Sequence, residues 1–195
     1  GGGTQCSPAN PGAMTVNPTG ATGSYTYQWY YVNGTSCPSS GGAVAISGAT
    51  SATYNPPAGL TTTRSYQVQV NPTGSPDCGG GTWSSNCITV TVNPLPVATA
   101  TNNSPSICNN TATNISLSSS LGGTIFNYTA AGSNGNIGGY SNSSGSTIAQ
   151  TLTNSGSSPG TVTYTITPTV TATGCVGSSI NVAVTVNPVP NVVAN

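Results

Sequence analysis

Four segments of this sequence alternate apolar and polar residues with a period of two, and this pattern restricts the fold more than any other feature. The segments read SYQVQVNP, CITVTVNP, TVTYTITP and INVAVTVNP. In an extended strand a period of two places the apolar residues on one face, so each segment predicts a half-buried antiparallel strand. Clusters of Gly, Pro, Asn and Ser separate the segments, as turns require. The strong helix formers Glu and Lys are absent, so we predict an all-β chain.

The two halves of the sequence repeat each other. The phrase VTVNPLP at Val90–Pro96 returns as VTVNPVP at Val184–Pro190. Before each phrase come, in the same order, a short strand, an aromatic strand (SYTYQWYY or TIFNYTA) and a strand with a central Tyr66 or Tyr164. About seven short strands in a repeat of this length are typical of an immunoglobulin-like β-sandwich.

We therefore predict two tandem immunoglobulin-like β-sandwich domains joined by a short Pro-rich linker. The first covers residues 1–94 and the second covers residues 95–187. Residues 188–195 are predicted to be a second linker and the first strand of a following repeat, because the phrase that opens the second domain also closes it. Pro-rich linkers of this length are short and stiff.

Charged side chains are almost missing, which excludes several classes of function. Arg64 and Asp77 are the only charged residues among 195, and there is no His. A Ser–His–Asp triad, a catalytic carboxylate pair, a His-containing zinc site and an acidic calcium site are all excluded. Nucleic-acid binding would need a basic surface. We expect no enzyme, no cofactor and no metal, and no apolar run approaches the ~20 residues of a membrane span.

The six cysteines predict disulfides and therefore an oxidising compartment, with free thiols or a four-cysteine metal site as the weaker alternatives. If each domain is self-contained, Cys108 pairs with Cys175. By correspondence between the halves Cys6 then pairs with Cys78, which leaves Cys37 for Cys87. The alternative pairs Cys6 with Cys37 and Cys78 with Cys87, and the sequence does not decide between the two. The cysteines are Cys6, Cys37, Cys78, Cys87, Cys108 and Cys175.

The chain resembles two repeat types of very large surface proteins. GSYTYQWYY, ISGATSATYNPPAGLTTTRSYQVQV and SSNCITVTVNP are similar to the Ig-like repeats of Bacteroidetes surface proteins, gliding-motility adhesins among them. SICNNTATNISLSS, IAQTLTN, GTVTYTITPT and GCVGSSINVAVTVNPVP look like the PKD-like repeat found beside them. The resemblance covers almost the whole chain. It implies export through a type IX-type route, a place at the cell surface or in a filament, and a mechanical or adhesive task.

Aromatic residues on the strands supply the candidate ligand contacts. Trp29 alternates in phase with the neighbouring tyrosines and is predicted to be a core residue. Tyr30 points the other way, and Trp83 lies in the predicted loop between two cysteines, so these two residues are the candidates for a ligand such as polysaccharide. The row from Thr161 to Thr167 is interpreted as the solvated face of a strand, with ice binding as the weaker alternative.

Asn-x-Ser/Thr acceptors raise the hypothesis of a glycosylated surface, since an almost uncharged protein needs another way to stay hydrated. Ser and Thr hydroxyls are the favoured attachment atoms. The N-linked candidates are Asn33, Asn102, Asn109, Asn114, Asn127 and Asn142.

The combined interpretation is a non-catalytic structural or adhesive repeat module of a long extracellular surface protein or filament, a disulfide-stabilised stalk. Its expected partners are neighbouring repeats of the same chain or like filaments, and surface polysaccharide. One alternative is a carbohydrate-binding accessory module of a secreted protein. The other is a self-assembling fibre subunit whose last strand, Asn191–Asn195, completes a neighbour's sheet.

Overall fold

A computed structural model describes residues 1–20, 23–73, 82–84 and 86–190, with the side chain of Thr82 excepted. The chain divides into two compact units, Gly1–Pro94 and Leu95–Asn195. Within the described residues the regular structure consists of β-strands and one short 3-10 turn, Pro38–Ser40. The same part of the chain contains no helix long and apolar enough to span a membrane. The predicted all-β class, with immunoglobulin-like sandwich domains, is confirmed.

The first unit is a β-sandwich with one large and one very small sheet. The large sheet has the order β1-β8-β6-β3-β4, and β7 pairs with the part of β6 that β8 leaves open. The small sheet consists of β2 and β5. The strands are β1 (Gly3–Cys6), β2 (Met14–Thr15), β3 (Ser24–Asn33), β4 (Val44–Ala45), β5 (Thr53–Tyr54), β6 (Arg64–Thr73), β7 (Thr82–Trp83) and β8 (Ile88–Asn93).

The core of the first unit follows from the alternation along β3 and β6. Trp29 pairs with Val68 and Tyr31 pairs with Tyr66, so their side chains share the inner face of the large sheet. Trp29 and Tyr66 are each 1% exposed, and Tyr31 packs against this cluster. Met14 reaches it from the small sheet. Trp29 is therefore the core residue that the sequence predicts.

The second unit has the same large sheet and a more complete second layer. Its large sheet has the order β10-β19-β18-β13-β15, and two three-stranded sheets, β16-β12-β9 and β11-β17-β14, complete the unit. The strands are β9 (Ala98–Asn102), β10 (Ser106–Cys108), β11 (Thr111–Ala112), β12 (Ile115–Ser119), β13 (Thr124–Gly132), β14 (Ile137–Gly138), β15 (Ser143–Ser144), β16 (Thr147–Ile148), β17 (Thr151–Asn154), β18 (Gly160–Val170) and β19 (Ile180–Asn187).

Strand β18 shows how the pattern of the sequence becomes the core of the second unit. Val162, Tyr164 and Ile166 are fully buried, while the threonines between them are only half-buried. Ile115 and Ile148 of the smaller sheet join the same cluster from the other side. Period two along a central strand thus separates a core face from an outer face, as half-buried strands require.

Both units close their large sheet in the same way at one edge. In the first unit β1 runs parallel to β8, with Gly3 opposite Val90. In the second unit β10 runs parallel to β19, with Ser106 opposite Thr185. The first strand of each large sheet therefore lies beside the last strand, and both point in the same direction.

Candidate functional site

Tyr30 and Trp83, the two predicted ligand contacts, meet on the outer face of the large sheet of the first unit. Strand β6 lies between the strands that carry them, β3 and β7. Trp83 pairs with Gln69 and Tyr30 pairs with Gln67, which places all four residues on the face opposite Trp29. The two ring centroids are 4.9 Å apart with an interplanar angle of 62°. Both rings are half-buried, so part of each remains accessible.

Glutamine side chains from β6 hold this aromatic pair in place. The Tyr30 hydroxyl donates a hydrogen bond to Gln69 Oε1 at 3.0 Å. Gln67, which is 4% exposed, donates from Nε2 to the Ser84 carbonyl oxygen at 2.6 Å. Ser84 also donates its backbone N–H to the Val68 carbonyl oxygen, which extends the pairing of β7 with β6. The position of Trp83 is thus set by a strand, not by the loop that the sequence predicted.

A disulfide bond closes one end of this outer face. Cys37 and Cys87 are joined, with Cα atoms 5.6 Å apart and a sequence separation of 50 residues. The bond connects the segment after β3 with the residue before β8. The adjoining 3-10 turn donates the Ser39 N–H to Gln67 Oε1 at 3.0 Å. The turn and the disulfide therefore shield Gln67, which explains why a polar residue of an outer face is buried.

The predicted pairing of Cys108 with Cys175 is wrong. Cys108 is exposed, and it is the free cysteine among the described residues. Cys108 ends β10 opposite Asn187, whereas Cys175 is buried next to Val170 at the other end of β18. The length of β18, roughly 30 Å, lies between them, and a disulfide needs Cα atoms closer than about 7 Å.

The Cys37–Cys87 bond is one of the bonds that the sequence predicts for the first unit. It excludes the alternative of Cys6 with Cys37 and Cys78 with Cys87. Cys78, and with it the prediction of a Cys6–Cys78 bond, lies outside the described residues.

A cleft of about 610 Å³ opens between the two layers of the first unit. Its walls include Tyr25, Trp29 and Val70 from the large sheet and the segment from Thr15 to Gly20 that follows β2. The cleft exists because the small sheet has only two short strands and leaves part of the large sheet uncovered. Trp29 contributes little accessible surface to it, since it is 1% exposed and its indole N–H donates to the Ser51 carbonyl oxygen.

The single basic side chain of the protein is held at the rim of an aromatic cluster. The Arg64 guanidinium lies 4.6 Å from the centre of the Tyr31 ring, and its Nε donates to Asn33 Oδ1 at 3.2 Å. Tyr66, next along the inner face, buries its hydroxyl without a hydrogen-bond partner among the described residues. Burial raises the pKa of Tyr66, and the nearby Arg64 opposes that shift. Arg64 is therefore a structural cation and does not face the Tyr30–Trp83 pair.

A buried tyrosine occupies the corresponding strand of the second unit, but its hydroxyl is satisfied. Tyr164 donates to Gln150 Oε1 at 3.1 Å. Burial raises the pKa of Tyr164 to about 12. The described residues contain no group of three or more His, Cys, Asp or Glu side chains that could hold a metal ion.

The predicted N-glycosylation acceptors fall into two groups. Four of them use their side-chain amides to fix the local backbone or a neighbouring side chain. These are Asn33 with Arg64, Asn102 with Ala183 and Ser104, Asn109 with Asn154, and Asn142 with Ala130. Asn33, Asn114, Asn127 and Asn142 are exposed. Because N-linked attachment needs an accessible amide nitrogen, Asn102, whose Nδ2 donates to the Ala183 carbonyl oxygen, is the acceptor least suited to it.

The threonine row of β18 is an ordinary outer face. Thr165 donates to Asn181 Oδ1 at 2.9 Å, and the Thr167 and Ser179 hydroxyls share a hydrogen bond of 2.7 Å. These cross-strand partners use the hydroxyls that a flat ice-binding surface would present.

Comparisons with known proteins divide the chain at the same place as the fold. Residues 105–190 match the family model of the PKD-like domain, and residues 1–94 match that of a domain of unknown function, DUF8696. The first match confirms the PKD-like character predicted for the second half. No curated protein matches the sequence.

Among solved structures, the chain is similar to the zebrafish RET cadherin-like domains 1 to 4. The sequence identity is 11%, the TM-score is 0.28, and the match covers 85% of this chain and 42% of that one. The chain thus spans less than half the length of that protein. At this level the similarity does not bear on function.

Proposed function

We propose that this chain is a non-catalytic structural and adhesive module of a long extracellular surface protein or filament, in which it forms part of a disulfide-stabilised stalk. The single observation that carries the proposal is the shared topology of the two units. Each has a five-strand order in which the first strand lies parallel to the last. PKD-like domains are typically non-catalytic modules, which agrees with this role.

The parallel edge gives each unit a way to resist extension. Tension on the chain pulls β1 and β8 of the first unit in opposite directions along their common axis. The backbone hydrogen bonds between them are then loaded together in shear, because they cross from strand to strand. The strands β10 and β19 of the second unit form the same parallel pair, although β9, which pairs with β12, precedes β10 in the chain. Such an edge suits a module that transmits force.

The disulfide limits how far the first unit can extend if it opens. Cys37 and Cys87 enclose a separation of 50 residues that contains β4, β5, β6 and β7. With the bond intact, these residues add nothing to the extended length. Reduction should release roughly 170 Å of chain at about 3.4 Å per residue.

The composition also favours a place outside the cell. A disulfide persists in an oxidising compartment. Arg64 is the only site for trypsin-like proteases, and it lies half-buried in β6 with its side chain engaged by Tyr31 and Asn33. The partners expected for such a module are neighbouring repeats of the same chain or like filaments.

The test combines the source material with single-molecule stretching. An antibody raised against the folded chain should label intact cells of the source. Denaturing, reducing electrophoresis should show a parent chain far larger than 19.1 kDa. Stretching the chain should give one unfolding event per unit, and reduction should lengthen the event of the first unit.

Two results would contradict the proposal. Labelling confined to permeabilised cells would contradict the extracellular location. Extension of the chain without a distinct unfolding force for either unit would contradict the mechanical role. Subunits of ~19 kDa would instead favour the fibre alternative; the strand Asn191–Asn195 on which that alternative depends lies outside the described residues. The link to gliding-type adhesins remains part of the proposal.

A further inference from the structure

Beyond the stalk role, we propose that the outer face of β3, β6 and β7 is a binding site for a neutral, hydroxyl-rich glycan chain, with Tyr30 and Trp83 as its stacking residues. The two rings come from strands on either side of β6 and meet above it, 4.9 Å apart. Aromatic rings pack against the apolar C–H faces of sugar rings. A half-buried Tyr or Trp offers such a ring while its hydroxyl or indole N–H remains in contact with water.

The rings are preorganised, which reduces the cost of binding. Tyr30 is fixed by its hydrogen bond to Gln69, and Trp83 is fixed by the pairing of β7 with β6. Below them Gln67 is locked by Ser39 and Ser84. A ligand that binds here orders few additional side chains, so a larger share of the contact energy appears as affinity.

Polar, uncharged side chains continue the platform away from the rings. Along β3 and β6 the cross-strand pairs next to Tyr30 are Gln28 with Gln69, Thr26 with Asn71, and Ser24 with Thr73. Amides and hydroxyls both donate and accept hydrogen bonds, as sugar hydroxyls require. From Tyr30 to Ser24 the face is about 20 Å long at ~3.4 Å per residue, which is enough for several sugar units.

The charge of the site selects a neutral ligand. The described residues of this face carry no charged side chain, and Arg64 lies on the opposite, inner face with Tyr31. Anionic polysaccharides and nucleic acids need cationic partners to offset the loss of hydration, and none is available here. A protein partner would be expected to bury a larger apolar surface than one pair of half-buried rings offers.

The experiment measures binding of defined oligosaccharides to the full chain by calorimetry and tryptophan fluorescence. The neutral probes are disaccharides and hexasaccharides of β-glucan, xylan, mannan and chitin; the anionic probes are alginate and hyaluronan oligosaccharides. We expect at least one neutral hexasaccharide to bind more tightly than its disaccharide, and the anionic probes not to bind. Trp83→Ala and Tyr30→Ala should each weaken binding by about tenfold, the scale of one lost aromatic contact.

Graded and matched variants separate the site from the fold. Tyr30→Phe keeps the ring and removes the bond to Gln69, so it should weaken binding less than Tyr30→Ala. Thr26→Arg places a bulky side chain on the exposed face without touching the core, and should block binding at an unchanged melting temperature. Tyr140→Ala removes a half-buried tyrosine from the second unit and should leave binding unchanged.

Three outcomes would overturn the proposal. The first is the absence of binding to every neutral probe at millimolar concentration. The second is binding that Trp83→Ala and Thr26→Arg leave intact. The third is binding abolished by Tyr25→Ala instead, which would place the ligand in the cleft between the layers. Because Trp83 also lines the cleft, loss of binding in Trp83→Ala counts in favour only if the variant melts cooperatively and Thr26→Arg loses binding as well.

Discussion

The two units have the same large sheet but fill the space beside it differently. In the second unit six strands in two small sheets cover the large sheet, and the core is mainly aliphatic, with Ile115, Ile148 and Leu152 fully buried. Among the described residues of the first unit, the second layer consists of β2 and β5, two residues each. There the aromatic side chains of Trp29 and Tyr66 occupy the interior.

This difference shows that large side chains can replace missing strands. The ring centroid of Tyr54, in the small sheet, lies 5.8 Å from that of Trp29 and 5.9 Å from that of Tyr66. These three rings therefore connect the two layers of the first unit. Each aromatic side chain buries far more surface than an aliphatic one. The cost is dependence on a few residues, and the Cys37–Cys87 bond adds a covalent constraint to the same unit. The first unit should therefore be the more sensitive to single changes.

The largest effect is expected from Trp29→Ala. Removing a fully buried Trp costs about 3–5 kcal/mol, which is most of the stability of a unit with so few second-layer strands. Calorimetry of the full chain should show the transition of the first unit lost or strongly lowered while that of the second unit persists. Ile148→Val, expected to cost about 1 kcal/mol in the second unit, is the matched control. Equal lowering of both transitions by Trp29→Ala would show that the units do not unfold separately.

The next largest effect is expected from the double variant Cys37→Ser and Cys87→Ser. Removing the cross-link over a separation of 50 residues should destabilise the first unit by about 4 kcal/mol in the chain-entropy model. Urea unfolding in the absence of reductant measures it. Cys108→Ser changes an exposed, unpaired thiol and should leave both transitions where they are. A double variant as stable as the parent would mean that this cross-link contributes nothing to the stability of the first unit.

Alkaline pH should destabilise both units through their buried tyrosines. The pKa of Tyr164 is raised from 10.0 to about 12 in the folded state, so the unfolded chain ionises first. The stability that this group contributes is complete below pH 10 and is lost as the pH rises from 10 to about 12. Tyr66 and Tyr54 act in the same direction in the first unit, since burial raises the pKa of each.

Melting curves across the pH range check this expectation. Between pH 4 and pH 8 both transitions should stay nearly fixed, because the chain has one Arg, one Asp and no His. Tyr164→Phe should remove the alkaline decline of the second unit only. A shift of tens of degrees between pH 4 and pH 8 would show that some other group controls stability.

The smallest change in stability is expected when the hydroxyl of either buried tyrosine, Tyr164 or Tyr66, is removed. Tyr164→Phe loses the hydrogen bond to Gln150 and should cost about 1 kcal/mol at neutral pH. Tyr66→Phe removes a hydroxyl that has no hydrogen-bond partner among the described residues, so it should be neutral or stabilising. Urea titrations of the two variants measure both values. A loss of stability in Tyr66→Phe would reveal a partner such as a buried water molecule.

Much of the architecture could be predicted from the sequence because period two is a local property. The strands β3, β6, β18 and β19 alternate so regularly that their inner residues, Trp29 and Tyr164 among them, follow from spacing alone. The repeated Asn-Pro phrase, which can also be read directly from the sequence, indicated two similar units.

The candidate site could be predicted only in part. That Tyr30 faces away from the core follows from alternation, and the QVQV pattern already placed Gln67 and Gln69 on the same outer face. That Trp83 joins them does not follow, because it depends on the register of β7 against β6. The error over Cys108 has the same origin, since the parallel pairing of β10 with β19 puts Cys108 at the far end of the sheet from Cys175.

The alternating pattern therefore defines which residues lie on which face of a strand, and the composition shows that almost no charged side chain is present. Which faces and which strand ends meet depends on the folded chain, as the aromatic pair above β6, the Cys37–Cys87 bond and the unpaired Cys108 show. The two kinds of information differ in the sequence distance over which the responsible interactions act. Alternation is set between adjacent residues, whereas register and pairing are set by packing between segments that are distant in the chain.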